Sequence, residues 1–255
     1  MQLYEWLDEW LDIYAQNKVK TSTYQNYAWA IQKAKSRIDN CSLEILLEME
    51  GQKALNSLDL EGFSKSSIDK VSIVLKDAMH RAVKKKLLAD NPFDVLFIPK
   101  YAPEKRIKPQ TIEEQKNVEA ACKETLHGDL YIMLLYTGVR RQELCDFQWS
   151  DYDEQNETII VRGQKTKNSR RVIPLLPVCQ RIINSQPKFG EYIFYGIHGD
   201  PITASVLKKL YLRLRKITGI ETITNHVARH TFATRLLEAG VDEKAISTLL
   251  GHSST

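Results

Sequence analysis

The chain has 255 residues, enough for one large domain or for two domains of ordinary size, each with a substantial hydrophobic core. Hydrophobic residues make up 43% and charged residues 27%, a composition that excludes a disordered chain. The net charge of +4 resides in residues 101–255, because the first 100 residues carry 14 basic and 14 acidic side chains. So small an excess favours nucleic acid as a partner only weakly.

Neither export nor membrane insertion is indicated by the sequence. The longest apolar run, at 130–136, is far too short to span a bilayer, and the acidic N-terminal segment MQLYEWLDEW is unlike a secretory signal. The four cysteines are widely scattered and form no CxxC pair. We therefore expect neither a disulfide framework nor a zinc knuckle, and a reducing compartment is predicted.

The first hundred residues have the apolar spacing of helices. The first predicted helix has an apolar face made of Leu3, Trp6, Leu7, Trp10, Leu11 and Tyr14. Thr21 and Ser22 are predicted to cap a second helix, and a short third helix covers 52–60. A long fourth helix is predicted to begin at Ser64 and to end near Pro92, because proline cannot continue a helix.

The second half of the chain mixes helices with a small sheet. Residues 99–110 contain three prolines and four basic residues and are predicted to be a linker. Thr111 and Glu114 have the spacing of a capping box for the helix that follows. The segments 158–161 and 172–174 flank a basic, turn-rich stretch and predict a β-hairpin. The predicted fold class is mainly α (α+β). Further helices are predicted at 126–137, 178–185, 203–218, 225–239 and 243–250.

The segment TGVRRQEL combines a glycine, an arginine and a glutamate. Gly138 allows a sharp turn between two helices and places Arg140 at a helix start. Glu143, three residues further on, can then orient the guanidinium of Arg140. Arg141 is expected to face solvent. A surface ion pair after a loop is the alternative interpretation of the same residues.

Two lysines, Lys165 and Lys167, lie near the tip of the predicted hairpin in GQKTKNSRR. An ammonium group there can donate a proton to a departing 5′ oxygen, which would otherwise leave as a high-energy alkoxide. The alternative is a solvated charged turn, the usual environment of a lysine in a hairpin. Strand alternation does not decide between the two lysines, because a turn breaks it.

The segment HVARH opens a predicted helix and places His226 and Arg229 on one face. Together with the helix N-terminus, this face can hold one phosphate. The HxxxH spacing of His226 and His230 also occurs in zinc sites. However, the glutamate of a zinc hydrolase is missing and Arg229 would repel a cation, so no metal is predicted. We expect His230 to be packed in the core.

His252 follows Gly251 in the segment LGH, where a turn can aim a hydrogen-bonding side chain away from the core. Taken alone, such a histidine is usually solvated. Two arginines, a lysine and two histidines together suit one task, which is to hold a phosphodiester while its negative charge rises. These candidate site residues are Arg140, Lys165, His226, Arg229 and His252.

The order of these motifs resembles the tyrosine recombinase (phage integrase) family, and the resemblance covers nearly all of the chain. WLDEWLDIY, TSTYQNY and NPFDVLFIPK resemble the helical core-DNA-binding domain of that family, and the stretch from TIEEQ to LGH resembles its catalytic domain. The resemblance implies a core-DNA-binding domain at 1–98 and the linker at 99–110. It also implies a mostly helical catalytic domain with a small antiparallel sheet at 111–255.

The resemblance implies roles for the arginines and for the DNA contacts. Arg140 and Arg229 would clamp the scissile phosphate, with Glu143 and His230 in support. The basic residues expected to contact the DNA backbone are Lys105, Arg106, Lys108, Arg141 and Lys167.

Proton transfer is implied for the remaining motif residues. Lys165 would be the general acid, with Lys167 as its rival. His226 would assist proton transfer, and His252 would hydrogen-bond a nonbridging phosphate oxygen. In the family the nucleophilic tyrosine lies shortly after LGH. No tyrosine follows His252 in this sequence, so residues 1–255 are expected to bind DNA without cleaving it.

The function implied by the resemblance is site-specific DNA recombination for a phage or mobile element. A tyrosine would form a 3′-phosphotyrosyl intermediate, and strand exchange would need neither a metal nor any other cofactor. The implied partners are double-stranded DNA, a homotetramer on the recombining sites, and accessory DNA-bending proteins. The implied location is the bacterial cytoplasm, at the nucleoid when bound.

Two alternatives stay open from the sequence. A type IB topoisomerase shares this chemistry, although the two-domain size and the HxxRH context favour recombination. A DNA-binding regulator would bind the same substrate without ever cleaving it.

Overall fold

The computed structural model describes residues 1–16, 18–100, 102–103, 107–163 and 170–251. The chain divides into two compact units, Met1–Arg106 and Ile107–Thr255, each with a hydrophobic core of its own. The boundary between the two units lies inside the segment 99–110. The DNA-binding and catalytic roles of the units stay predictions. In the described ranges, no helix is long and apolar enough to cross a membrane.

Helices form most of the described part of the first unit. They are α1 (Leu3–Trp10), α2 (Thr21–Lys35), α3 (Glu48–Leu60) and α4 (Lys65–Lys84). A π-helical turn at Leu11–Ala15 extends α1, and a 3₁₀ turn at Leu43–Ile45 precedes α3. The predicted apolar face of α1 is buried through Trp10, and the indole Nε1 of Trp6 donates to the carbonyl oxygen of Ala78 at 3.0 Å. This bond ties α1 to α4.

Three predicted helix ends in the first unit are wrong, and one of them is the start of α3, which lies at Glu48 and not at residue 52. The N-cap of α2 is Lys20, so Thr21 and Ser22 lie inside the helix, where both are exposed. Helix α4 ends at Lys84, well before Pro92, because Lys86 adopts a left-handed backbone with φ of 61°. The later proline therefore does not determine where α4 ends.

The ends of the predicted linker are packed within the two units. Ala102 is buried in the core of the first unit. Gln110 is buried in the second unit, where its backbone N–H donates to Thr231 Oγ1 at 2.9 Å. The predicted linker therefore packs into the first unit at Ala102 and into the second unit at Gln110.

The second unit is mostly helical and contains a three-stranded antiparallel sheet in the order β1-β2-β3. The strands are β1 (Tyr152–Asp153), β2 (Thr158–Val161) and β3 (Arg171–Pro174). The register places Ile159 opposite Ile173 and Val161 opposite Arg171. The helices are α5 (Ile112–Lys123), α6 (Gly128–Thr137), α7 (Arg141–Cys145), α8 (Pro177–Asn184), α9 (Ala204–Thr218), α10 (Asn225–Glu238) and α11 (Glu243–Leu250). This confirms the predicted fold class, mainly α with a small antiparallel sheet.

The centre of the second unit is the apolar helix α6. Its side chains are buried almost throughout, including Tyr131, Met133 and Leu134, as the apolar run predicts. The predicted capping box before α5 is confirmed. The N–H of Glu114 donates to Thr111 Oγ1 at 3.1 Å, and the N–H of Thr111 donates to Glu114 Oε2 at 2.8 Å. Helices α5 and α10 pack on α6, which brings the end of α6 close to α10.

Candidate active site

Gly138 ends α6 and starts the turn that presents Arg140. Its φ of 63° is left-handed, and a Cβ added there would lie 2.3 Å from a ring carbon of Phe232 on α10. Conformation and close packing therefore both require glycine at this position. Two residues later, Arg140 is the N-cap of α7 with an extended backbone. The sharp turn predicted from the sequence is confirmed.

Glu143 orients Arg140, as their three-residue spacing predicts. Glu143 Oε1 accepts from the guanidinium Nη1 of Arg140 at 2.9 Å, and Oε2 accepts from the backbone N–H of Arg140 at 2.7 Å. The Glu143 side chain is 5% exposed, whereas that of Arg140 is 46% exposed. A buried carboxylate thus holds a guanidinium that is half open to solvent, so the pair differs from a surface ion pair.

A second arginine, Arg171 on β3, holds the other side of Glu143, and it is absent from the sequence-predicted site. Its Nη2 donates to Glu143 Oε2 at 2.8 Å and its Nη1 to Oε1 at 3.1 Å. Both side chains are almost fully buried, at 4% for Arg171 and 5% for Glu143. The alternation of the strand could have predicted that Arg171 is buried, because Arg171 lies on the same face as the core residue Ile173.

The pKa of the Glu143 carboxyl lies below its ordinary value. Burial by itself raises this pKa, but hydrogen bonds from the Arg171 side chain and the Arg140 backbone, together with the charge of Arg171, outweigh burial. The carboxylate therefore stays ionised at neutral pH in a buried position.

Arg229 on α10 completes the group of arginines. Its Nη1 donates to the carbonyl oxygen of Gly138 at 2.7 Å, and its Nη2 donates to that of Leu250 at 2.5 Å. Burial and, after it, the positive charge of Arg140 lower the pKa of the Arg229 guanidinium to about 10. Arg140, Arg171 and Arg229 with Glu143 are called the arginine cluster below. The cluster holds three cations against one carboxylate, so it favours an anion.

The C-terminal end of α11 lies against this cluster. Three successive carbonyl groups accept from its three arginines. The carbonyl of Leu249 accepts from Arg171 Nε at 2.6 Å, that of Leu250 from Arg229, and that of Gly251 from Arg140 Nη2 at 3.2 Å. These carbonyls lack partners within the helix and carry the negative end of its dipole. The end of α11 is therefore fixed by the same groups that form the cluster.

Gly251 caps α11 in a left-handed conformation, with φ of 67°. A Cβ at this position would lie 2.8 Å from Arg171 Nη1. The glycine thus lets the chain pass directly over the buried guanidinium, just before the predicted site residue His252.

The prediction that His230 is packed in the core is wrong. Both His230 and His226 are exposed on α10. The inward residues of this helix are Val227, Ala228, Thr231 and Phe232. Because these four residues face the core, the two histidines lie on the solvent side of α10. Arg229, between them in the sequence, is partly buried. Among the described residues, no group of three or more His, Cys, Asp or Glu side chains could hold a metal ion.

The other predicted site residues divide into exposed and undescribed ones. Arg141 and Lys108 are exposed. The remaining predicted residues lie outside the described part of the chain. They are Lys105, Arg106, Lys165, Lys167 and His252. The strands β2 and β3 on either side of Lys165 and Lys167 do form the predicted hairpin.

The sequence matches the model of the Phage integrase family over residues 114–255. The XerC-like tyrosine recombinase of Caldanaerobacter subterraneus subsp. tengcongensis is 29% identical over 276 residues, covering 91% of this chain and 69% of the relative. The tyrosine recombinase XerA of Thermococcus onnurineus is 33% identical over 218 residues, covering 81% of this chain and 75% of the relative. These relatives are recombinases, which does not favour the topoisomerase or regulator alternatives.

Solved structures of integrases have the same fold. The Tn1549 transposon integrase in complex with transposon right end DNA superposes with a TM-score of 0.82 at 24% identity, over 100% of this chain and 92% of that chain. A lambda integrase dimer bound to a COC′ core site gives a TM-score of 0.82 at 24% identity, over 100% of this chain and 96% of that chain. At this level of identity the likeness establishes the fold.

Proposed function

We propose that this chain, which belongs to the phage integrase family of tyrosine recombinases, binds double-stranded DNA and holds a scissile phosphate in its arginine cluster. Enzymes of this family cleave and join DNA. The observation that carries the assignment is the pair Arg140 and Arg229. Both guanidinium groups meet at the end of α11, and Glu143 orients one of them. Two fixed guanidinium groups suit the nonbridging oxygens of a phosphodiester.

The proposed reaction is a transesterification. A tyrosine oxygen attacks the phosphorus and forms a 3′-phosphotyrosyl bond, while the bond from phosphorus to the 5′ oxygen breaks. Lys165 supplies the proton that converts the leaving oxygen into a 5′ hydroxyl, with Lys167 as the rival donor. Arg140 and Arg229 stabilise the charge of the pentavalent transition state. His226 assists the transfer of the proton that the attacking tyrosine loses, and His252 donates a hydrogen bond to a nonbridging oxygen.

The proposed partners follow from the charge and from the relatives. Lys108 and Arg141 are exposed, and with Lys105, Arg106 and Lys167 they would contact the DNA backbone. One structure with the same fold is a lambda integrase tetramer bound to a Holliday junction. We propose the same assembly state for this protein on recombining sites, with accessory DNA-bending proteins as further partners. The bacterial cytoplasm is the proposed location.

The test of the proposed function is the salt dependence of DNA binding by residues 1–255. Each phosphate contact releases a condensed counterion, so about six contacts should weaken binding on the order of 1,000-fold between 50 and 200 mM salt. Fluorescence anisotropy with a labelled duplex measures this slope. The double variant Lys108→Ala, Arg141→Ala should flatten the slope, whereas Lys123→Ala, which removes an exposed charge at the end of α5, should leave it unchanged. Binding that barely responds to salt would contradict the proposal.

A second expected result concerns the nucleophile. Burial raises the pKa of the Tyr131 and Tyr211 phenols, and burial with a hydrogen bond to Glu119 raises the pKa of Tyr136 to about 12. These phenols are poorly suited to attack, because the attacking oxygen must lose its proton. We expect residues 1–255 alone to form no covalent adduct with end-labelled, nicked DNA on a denaturing gel. A shifted covalent band from this chain would place the nucleophile within it and contradict the expectation.

A further inference from the structure

We infer that Arg171 is a positioning residue, which fastens the end of α11 to Glu143 and so sets the geometry of Arg140 and the position of Gly251. This inference rests on the proposed function, since it concerns the same phosphate site. Arg171 is the last residue of the segment GQKTKNSRR, in which only the two lysines are predicted site residues.

The contacts of Arg171 connect three separate elements. From β3 its guanidinium reaches both oxygens of Glu143 on α7, and its Nε reaches the carbonyl oxygen of Leu249 on α11. The planar guanidinium has donors on both edges, so one side chain can serve a carboxylate and a carbonyl at once. A lysine has the charge but lacks this fixed fork.

Glu143 is shared, which couples Arg171 to Arg140. The same two carboxylate oxygens that accept from Arg171 also accept from the side chain and backbone of Arg140. A carboxylate held from one side only would be free to rotate about its side-chain bonds. Arg171 therefore fixes the orientation of the group that in turn orients the exposed guanidinium of Arg140.

The second contact fixes the end of α11. The buried guanidinium of Arg171 lies beneath Gly251, where even a methyl group would come within 2.8 Å of Nη1. This close packing, with the bond to Leu249, holds the end of the helix from which Leu250 and Gly251 present carbonyls to Arg229 and Arg140. Displacing this end would move the partners of both phosphate-binding arginines.

The inference is tested with Arg171→Met, which keeps the length of the side chain and removes its donors, and with Arg171→Lys. In full-length protein that cleaves DNA, we expect Arg171→Met to lower the saturating cleavage rate of a suicide substrate by about 100-fold, because a displacement near 1 Å has that cost. The Kd for DNA should change by less than about threefold. Arg171→Lys should recover part of the rate, since it keeps a charge beside Glu143.

The matched control is Arg162→Met. Arg162 pairs with Asp151 at 2.6 Å beside the same hairpin, but its side chain is 50% exposed. We expect this variant to cleave at the parent rate.

A double variant separates a positioning role of Arg171 from an effect on stability. In an Arg140→Ala background, Arg171→Met should lower the rate by far less than 100-fold, whereas a loss of folding would reduce the rate equally in both backgrounds. Parent-like cleavage by Arg171→Met and Arg171→Lys would overturn the inference.

Hydrogen exchange gives a readout that does not depend on cleavage. In residues 1–255, Arg171→Met should speed exchange of the α11 amides by at least about tenfold relative to the α6 amides, and Arg162→Met should not. Unchanged α11 exchange would overturn the inference. If the parent protein failed to cleave DNA, the proposed function would fail, while this exchange measurement would still decide whether Arg171 fastens α11.

Discussion

Replacing Arg229 by alanine in the full-length protein is expected to lower the rate of strand cleavage by about 100-fold or more, with DNA binding largely retained. The guanidinium remains protonated at pH 7 although burial lowers its pKa to about 10. A desolvated cation in a cluster that already has an excess of positive charge interacts strongly with an incoming anion. Removing one such donor from a developing phosphorane charge costs about 3 kcal/mol. Single-turnover cleavage of a suicide substrate at saturating protein measures this loss.

The control for Arg229→Ala is Arg235→Ala on the same helix. Arg235 also donates to a backbone carbonyl, that of Gln110 at 2.7 Å, and to the Gln115 side chain at 3.0 Å. Arg235 therefore matches Arg229 in donating hydrogen bonds to a backbone carbonyl, but it lies outside the arginine cluster. We expect Arg235→Ala to cleave at nearly the parent rate once its folding is verified. Near-parent cleavage by Arg229→Ala would mean that the phosphate binds elsewhere.

Groups of the protein itself fix the geometry of the arginine cluster. Three carbonyls at the end of α11 and the carboxylate of Glu143 hold the guanidinium groups of the cluster. Donors that are already fixed need little reorganisation when charge develops in the transition state. The C-terminus of a helix is well suited to bind guanidinium groups, because its last carbonyls have no partners within the helix and the helix dipole is negative there.

Local spacing made part of this site predictable from the sequence. Gly138, Arg140 and Glu143 lie within six residues, so a turn and one helical start determine how they meet. The hairpin, the capping box before α5 and the glycine end of α11 were predictable for the same reason. In each case the deciding contacts join residues that are close in the chain.

The burial of Arg171 and the inner face of α10 depend on contacts between residues far apart in the chain, so the sequence pattern did not predict them. The partners of Arg171 lie 28 and 78 residues away, so its burial against Glu143 and Leu249 depends on how β3, α7 and α11 assemble. His230 was assigned to the core, but packing against α6 selects Val227, Ala228, Thr231 and Phe232 as the inner face of α10. Spacing alone identifies a shared helical face without indicating which face is buried.

Loss of the Glu143 carboxylate is expected to destabilise the second unit. Its carboxylate is almost fully buried between Arg140 and Arg171, and Arg171 is itself only 4% exposed. Glu143→Ala would leave the buried guanidinium without its carboxylate, and breaking a buried pair from one side costs about 3–5 kcal/mol. Native-state hydrogen exchange of the α6 amides measures the free energy of unfolding of the second unit. The matched control is Asp151→Ala, whose partner Arg162 is half exposed and can turn to water, so its cost should be clearly smaller.

The pH dependence of this contribution has a definite sign. Because the folded-state pKa of Glu143 is lowered, the unfolded chain binds its proton more readily. The carboxylate therefore stabilises the fold above the ordinary carboxyl pKa of about 4.3, and this stabilisation is lost as pH falls through the lower folded-state value. Glu143→Gln has a side chain of the same shape that cannot ionise. The difference in unfolding free energy between the parent and Glu143→Gln should be constant from pH 7 to about 5 and shrink below pH 4. A difference that stays constant down to pH 3, or grows there, would show that Arg140 and Arg171 do not stabilise the ionised carboxylate.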